Sequence, residues 1–176
     1  MSRAQVGLRI VIFVLASWII GSAGGFGLVY LAIPVVAAVL ISQKGGERYV
    51  AEDADRVIVW LRLVVGALSY LALLTDELPT ISRPCVSMEV RSEGTPSVGG
   101  ALLRILKAIP SAICLAVLGF VGWIIWIVAA VGILLNERYP ESLWRFQLGV
   151  VRWQANLLAY LTSLISPYPP FVLDRT

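Results

Sequence analysis

The sequence predicts an all-α integral membrane protein made of two tandem repeats of two helices each. Three observations carry that prediction: a composition too apolar for a water-soluble surface, four long apolar stretches, and a self-similarity at a fixed offset of 90 residues. Residues of the AVILMFWYC set make up 59% of the 176 residues, only 14% are charged, and mean hydropathy is +0.85. Soluble domains carry about 25% charged residues, so lipid must cover much of this surface. That excludes a soluble enzyme, a nucleic-acid-binding domain and a disordered chain.

The first apolar stretch, residues 10–42, has no charge over 33 residues. As helix it is about 50 Å long, against a hydrocarbon core about 30 Å thick. It must tilt, protrude or break, and Gly21, Gly24, Gly25 and Gly27 mark the place for a break. Arg3 and Arg9 ahead of it, with small residues at 21–23, imitate a secretory signal, but apolar character resumes at Phe26. An uncleaved anchor is expected. The second stretch, 57–75, is interrupted only by Arg62. The third, 108–135, is uncharged, entered through Pro110 and preceded by an amphipathic lead, 101–107. The fourth, 144–165, is more amphipathic and carries Arg145, Arg152, Gln154 and Asn156. Four membrane helices are expected, the second of each repeat being the one that could instead lie in the interface.

Residues 76–100 are polar and contain Pro79, Pro84 and Pro96. Within them Val86, Met88 and Val90 alternate with Ser87, Glu89 and Arg91, the period of a short strand, which would need a strand to pair with. The chain therefore divides into a first membrane repeat at 1–80, a polar linker at 81–100 and a second membrane repeat at 101–176. A shift of 90 residues places Glu47-Arg48-Tyr49 on Glu137-Arg138-Tyr139, Arg62 on Arg152, Tyr70-Leu71 on Tyr160-Leu161 and Pro79 on Pro169. With Leu68 and Leu74 this makes nine identities over positions 47 to 79, more than two Leu/Val-rich stretches supply by chance. Self-similarity at a fixed period is the mark of a duplicated unit.

The second unit shows an ordered set of motifs: Ala108-Ile109-Pro110, Arg138-Tyr139-Pro140, Arg152-Trp153, Ala159-Tyr160 and Tyr168-Pro169-Pro170-Phe171. In this it resembles the bacterial membrane domain-of-unknown-function family 4389, over most of residues 86–172. The first unit matches weakly, through Glu47-Arg48-Tyr49, Ser69-Tyr70 and the Thr75–Pro79 region. Glu137 stands where that family usually has Gly, and Ser111 where a His is common. The resemblance implies architecture and a bacterial cytoplasmic membrane location, and carries no activity with it.

Arg62 and Arg152 are the sharpest chemical features, each a lone charge in an apolar helix at matched positions. An Arg at the bilayer centre costs roughly 2.5–3.5 kcal/mol on insertion scales, so each needs a partner: a carboxylate, a carbonyl, a lipid phosphate or another subunit. Asn156 lies on the same helical stripe as Arg152. The turns Glu47, Arg48, Tyr49 and Glu137, Arg138, Tyr139 are expected to be interfacial anchors, Arg and Tyr being suited to the headgroup layer. Histidine is absent, Cys85 and Cys114 lie in different media, and every carboxylate falls in a loop or at a helix end. No catalytic set, metal site or cofactor is expected, and no nucleic-acid footprint, since the longest basic cluster is Arg104 with Lys107. A weak excess of Lys and Arg places both termini and the linker in the cytoplasm and makes the repeats parallel. The functional expectation is a non-catalytic accessory or scaffolding subunit, its partners being membrane lipid and other membrane subunits or further copies of itself. The alternatives are an anionic-lipid-binding or a small-solute transport protein using the intramembrane arginines.

Overall fold

A computed structural model describes residues 7, 11–12, 25–81, 86–87, 94–136, 139–169 and 173. The described residues form four main helices: α1 (Gly25–Lys44), α2 (Ala54–Leu71), α3 (Val98–Asn136) and α4 (Glu141–Leu161). Gly7, Val11 and Ile12 are helical as well.

Local chemistry sets the boundaries. α1 stops at Gly45, whose φ of 84° is open to a residue without Cβ. A three-residue turn (Gly46–Arg48) and a π-type turn (Tyr49–Asp53) then carry the chain into α2. Gly46 is required there, because a Cβ would overlap the Pro96 carbonyl oxygen. α3 opens on Ser97, whose Oγ accepts the Gly100 N–H at 3.1 Å, the N-cap bond that satisfies one of a helix's free donors. α4 follows Pro140, which cannot continue a helix from its N-terminal side. Of the described residues, only Val98–Leu135 in α3 is long and apolar enough to cross a membrane; Tyr30–Lys44 is a shorter apolar helix. Just 22% of the most apolar stretch of α3 is buried against the rest of the protein.

α3 packs against α1 and α4, and α2 packs against α4. Small residues let α2 and α4 approach: Leu61, Val65 and Ala72 share one buried cluster with Val151, Ala155, Leu158 and Ala159. The ends of the helices fix their directions. Trp126 Nε1 donates to the Leu71 carbonyl at 2.8 Å, and Arg104 donates to the Tyr160 and Ile165 carbonyls at 2.6 and 2.5 Å. Trp126 lies 22 residues beyond Arg104, about 33 Å along α3. The C-termini of α2 and α4 thus sit at opposite ends of α3. α2 runs parallel to α3, α4 antiparallel. Tyr49 Oη, donating to the Thr162 carbonyl at 2.7 Å, sets the start of α2 beside the end of α4.

This arrangement corrects one expectation. Residues 72–97 do not return to the side they left. Pro79, Thr80 and Ile81 pass Arg62 at mid-α2, Val86 packs in the α2–α4 cluster, and Pro96 meets Gly46 at the far end. The two units are consequently antiparallel, not parallel, because the C-terminus of α1 is what meets the start of α3. The expected strand lies mostly outside the described residues, Met88 and Val90 included; of its residues Val86 and Ser87 are described and irregular, Val86 packing against the α2–α4 cluster.

α2 and α4 end alike, 90 residues apart. Ala72 and Leu73 N–H donate to Leu68 and Tyr70; Thr162 and Ser163 N–H donate to Leu158 and Tyr160. Each helix then turns through a left-handed non-glycine residue, Leu73 at φ 61° and Ser163 at φ 64°, a conformation costing an L-residue about 1–2 kcal/mol. Leu73 offsets that cost with a fully buried side chain, whereas Ser163 Oγ is buried without a hydrogen-bond partner. Ser163→Gly is therefore expected to stabilise the protein by about 1 kcal/mol, and Leu73→Gly to destabilise it by about 2 kcal/mol, both read from thermal unfolding in detergent. A Ser163→Gly protein that melts lower than wild type would refute this assignment of strain.

Candidate functional site

An elongated apolar groove of about 730 Å³ lies between α2, α3 and α4, touched by Tyr30 and Leu31 of α1. Its size falls within the usual range of small-molecule sites, about 300–1,000 Å³. α3 supplies one wall, from Ile105 to Trp126, with Ala108, Ala112, Ala116, Gly119 and Gly122 keeping it shallow. α4 supplies the floor through Val150, Leu157 and Leu161, and α2 the opposite lip through Leu68 and Leu71. Trp126 closes one end, its indole bonded across to α2. Gln147, Gln154 and Tyr30 are polar residues that line this otherwise apolar space. Gln147 Oε1 is buried and accepts no hydrogen bond.

The groove's other end is held by a polar knot. The Arg104 guanidinium stacks over the Tyr160 ring at 4.6 Å while it donates to the two carbonyls at the end of α4. Tyr160 meets Tyr168 edge-on, with ring centres 5.5 Å apart, and the Tyr168 hydroxyl is hydrogen-bonded to Ser111 beside Pro110. At the corner leading into α2, Lys44 Nζ bonds buried Asp53 at 2.7 Å. Burial, then the Asp53 carboxylate, pushes the Tyr49 phenol up to about 12, so it stays a donor at neutral pH.

The sequence-predicted residues are placed as follows. Arg62 is half-buried beside Pro79, Thr80 and Ile81 and is engaged within the protein. Arg152 and Asn156 are exposed on α4. The groove contains none of the three. Glu47 and Arg48 are exposed at the α1–α2 corner, but Tyr49 is 1% exposed and caps α4, so it is not an interfacial anchor. Tyr139 points inward too, against Leu73, Trp126 and Ile133, and its buried hydroxyl finds no acceptor among the described residues. Glu137 and Arg138 lie outside the described residues. Sequence reasoning missed the structural role of Arg104, read only as part of a basic lead, and the facing of Gln147 and Gln154. An Arg and two Gln on otherwise apolar helices were the available signal. Among the described residues no group of His, Cys, Asp or Glu could hold a metal ion.

Fold and groove together define a helical protein with, among the described residues, one helix of membrane-crossing length and an apolar cleft at its side. Residues 99–172, which cover nearly all of α3, all of α4 and the Tyr168-Pro169 segment, match the model of the family described as domain of unknown function (DUF4389). No curated protein and no solved structure matches the chain.

Tyr49→Phe removes the donor to the Thr162 carbonyl and is expected to cost about 1–2 kcal/mol. The folded protein holds the Tyr49 proton more tightly than the ordinary phenol value of 10 allows. The stability this gives is whole below pH 10 and is lost as pH rises towards 12. Alkaline melting curves should therefore fall less steeply for Tyr49→Phe than for wild type; parallel curves would contradict the burial of this phenol.

Proposed function

We propose that the chain is a non-catalytic accessory or scaffolding subunit that crosses the bacterial cytoplasmic membrane with all four helices and docks on a larger complex through its α2–α4 face. The carrying observation is that Arg152 and Asn156 are exposed at mid-length of α4, a helix that runs alongside α3. If α3 crosses the bilayer, α4 does too, and lipid is a poor neighbour for that guanidinium. A protein surface offering carboxylates or free carbonyls answers it. The linker suits the same face: its charges sort to its ends, Asp76 and Glu77 at one, Glu89, Arg91 and Glu93 at the other, with Arg83 alone between. Lys44, Arg48, Arg56, Arg104 and Lys107 gather where α3 begins, and Arg145 lies at the opposite end. Basic residues favour the cytoplasm, which assigns that side to the start of α3 and the end of α4.

Gentle detergent extraction followed by native mass spectrometry tests this reading. A stoichiometric protein partner is expected with wild type, and Arg152→Leu with Asn156→Leu is expected to lower its recovery about tenfold at unchanged helical content. A monomer free of any protein partner would overturn it. A second reading draws on the spacing of Arg152 and Asn156, one turn apart and both exposed: guanidinium and amide together suit an anionic lipid phosphate. Bound phosphorus that disappears in the same double variant, with no protein partner, would favour that reading instead.

A further inference from the structure

We propose that Tyr139 is a latch whose hydroxyl closes on the Ala72 carbonyl at the end of α2, as the Tyr49 hydroxyl closes on the Thr162 carbonyl at the end of α4. The latch is independent of the docking face above, which uses Arg152.

The two halves of the chain meet through a two-fold contact. Leu61, Val65 and Leu68 share one cluster with Val151, Ala155 and Leu158, their equivalents 90 residues further on. α2 and α4 run antiparallel there, so the axis passes between them near Val65 and Ala155. A contact about a two-fold axis is made twice. If a residue of the first half meets the second half, its equivalent meets the matching place in the first. Tyr49 donates to the Thr162 carbonyl at 2.7 Å. Tyr139 is the equivalent of Tyr49, and Ala72 that of Thr162. The matching bond runs from Tyr139 Oη to the Ala72 carbonyl.

The backbone is built to accept it. Ala72 caps α2 at φ −74°, ψ 4°, and Thr162 caps α4 at φ −71°, ψ −4°. The left-handed residues that follow, Leu73 at φ 61° and Ser163 at φ 64°, match as well, so the two cap carbonyls are presented alike. Tyr139 packs against the cluster of Leu73, Trp126, Ala130 and Ile133, with its hydroxyl buried and without an acceptor among the described residues. Trp126 already serves the neighbouring Leu71 carbonyl. Tyr139 on Ala72 would complete at α2 what Arg104 and Tyr49 do at α4, where they hold the Tyr160 and Thr162 carbonyls.

The two corners differ in one respect that explains why one latch is made and the other stands open. Tyr49 begins a π-type turn that leads on into α2. Tyr139 precedes Pro140, and a proline keeps the residue before it out of the helical region. Tyr139 is therefore carried on extended backbone, and a swing of that corner brings its hydroxyl to the end of α2. A buried hydroxyl without a partner is costly, and closure removes that cost.

The sign of one substitution tests this. Tyr139→Phe keeps the ring and removes only the hydroxyl. Thermal unfolding of the full chain in detergent is expected to show a midpoint about 2–4 °C lower for Tyr139→Phe than for wild type. A hydroxyl that stays open gives the opposite sign, since deleting a buried, unpaired polar group stabilises. A second measurement identifies the acceptor. In a background of Cys85→Ser and Cys114→Ala, a short bifunctional methanethiosulfonate should join Ala72→Cys to Tyr139→Cys as readily as Thr162→Cys to Tyr49→Cys. A midpoint that is unchanged or raised in Tyr139→Phe would overturn the latch. So would a lowered midpoint with the 72–139 pair left unjoined while the 49–162 pair joins, because the hydroxyl would then serve another acceptor.

Discussion

A helix leaves its last four carbonyls without partners, and in hydrocarbon no water can supply them. This constraint organises the protein. The carbonyls at the end of α2 receive the Trp126 indole; those at the end of α4 receive Tyr49 and Arg104. Each donor comes from another helix or the corner before it, so the same bonds that seal an end also set which end lies beside which. Arg104 is held twice by its own protein and once more by the face of Tyr160, and is thereby unavailable to a ligand. Trp126 has a double consequence, bonding α2 and closing the groove.

The antiparallel relation of the two units follows from those bonds. α2 and α4 share their terminal hydrogen-bond pattern and a left-handed residue at the same offset of 90, yet they run in opposite directions. Val65 and Ala155, also 90 apart, are buried in one cluster where the two helices meet. A duplicated unit would then be present as an inverted pair, related by an axis across the helices rather than along them. The connection 72–97 has to travel the length of the molecule to make this possible.

Much of this was legible in the residues. The run 108–135 and its Pro110 entry foretell α3, the stretch 144–165 overlaps α4 closely, and Arg62 and Arg152 lie on two separate helices, α2 and α4. The Pro-rich segment after α2 was recognisable as non-helical, and its described residues 76–81, 86–87 and 94–97 are irregular. What stayed hidden depends on distant partners. The Arg104–Tyr160 and Tyr49–Thr162 bonds join residues 56 and 113 positions apart and leave no periodic trace. Val86 alternates with Ser87 as a strand would, yet it packs against the α2–α4 cluster from an irregular segment. The groove was invisible for a related reason. A run of Ala and Gly at helical spacing reads as a helix contact surface, and only the course of α2 and α4 shows that it lines a groove.

The most direct test of the account is the sidedness of the two ends of the 72–97 connection. In a background of Cys85→Ser and Cys114→Ala, single cysteines at Asp76 and at Ser97 can be labelled with a membrane-impermeant maleimide in sealed vesicles of known orientation. Labelling from opposite faces of the membrane, Ser97 from the cytoplasmic side and Asp76 from the other, is the predicted result. Labelling of both from one face would contradict the antiparallel arrangement and the sealing scheme built on it.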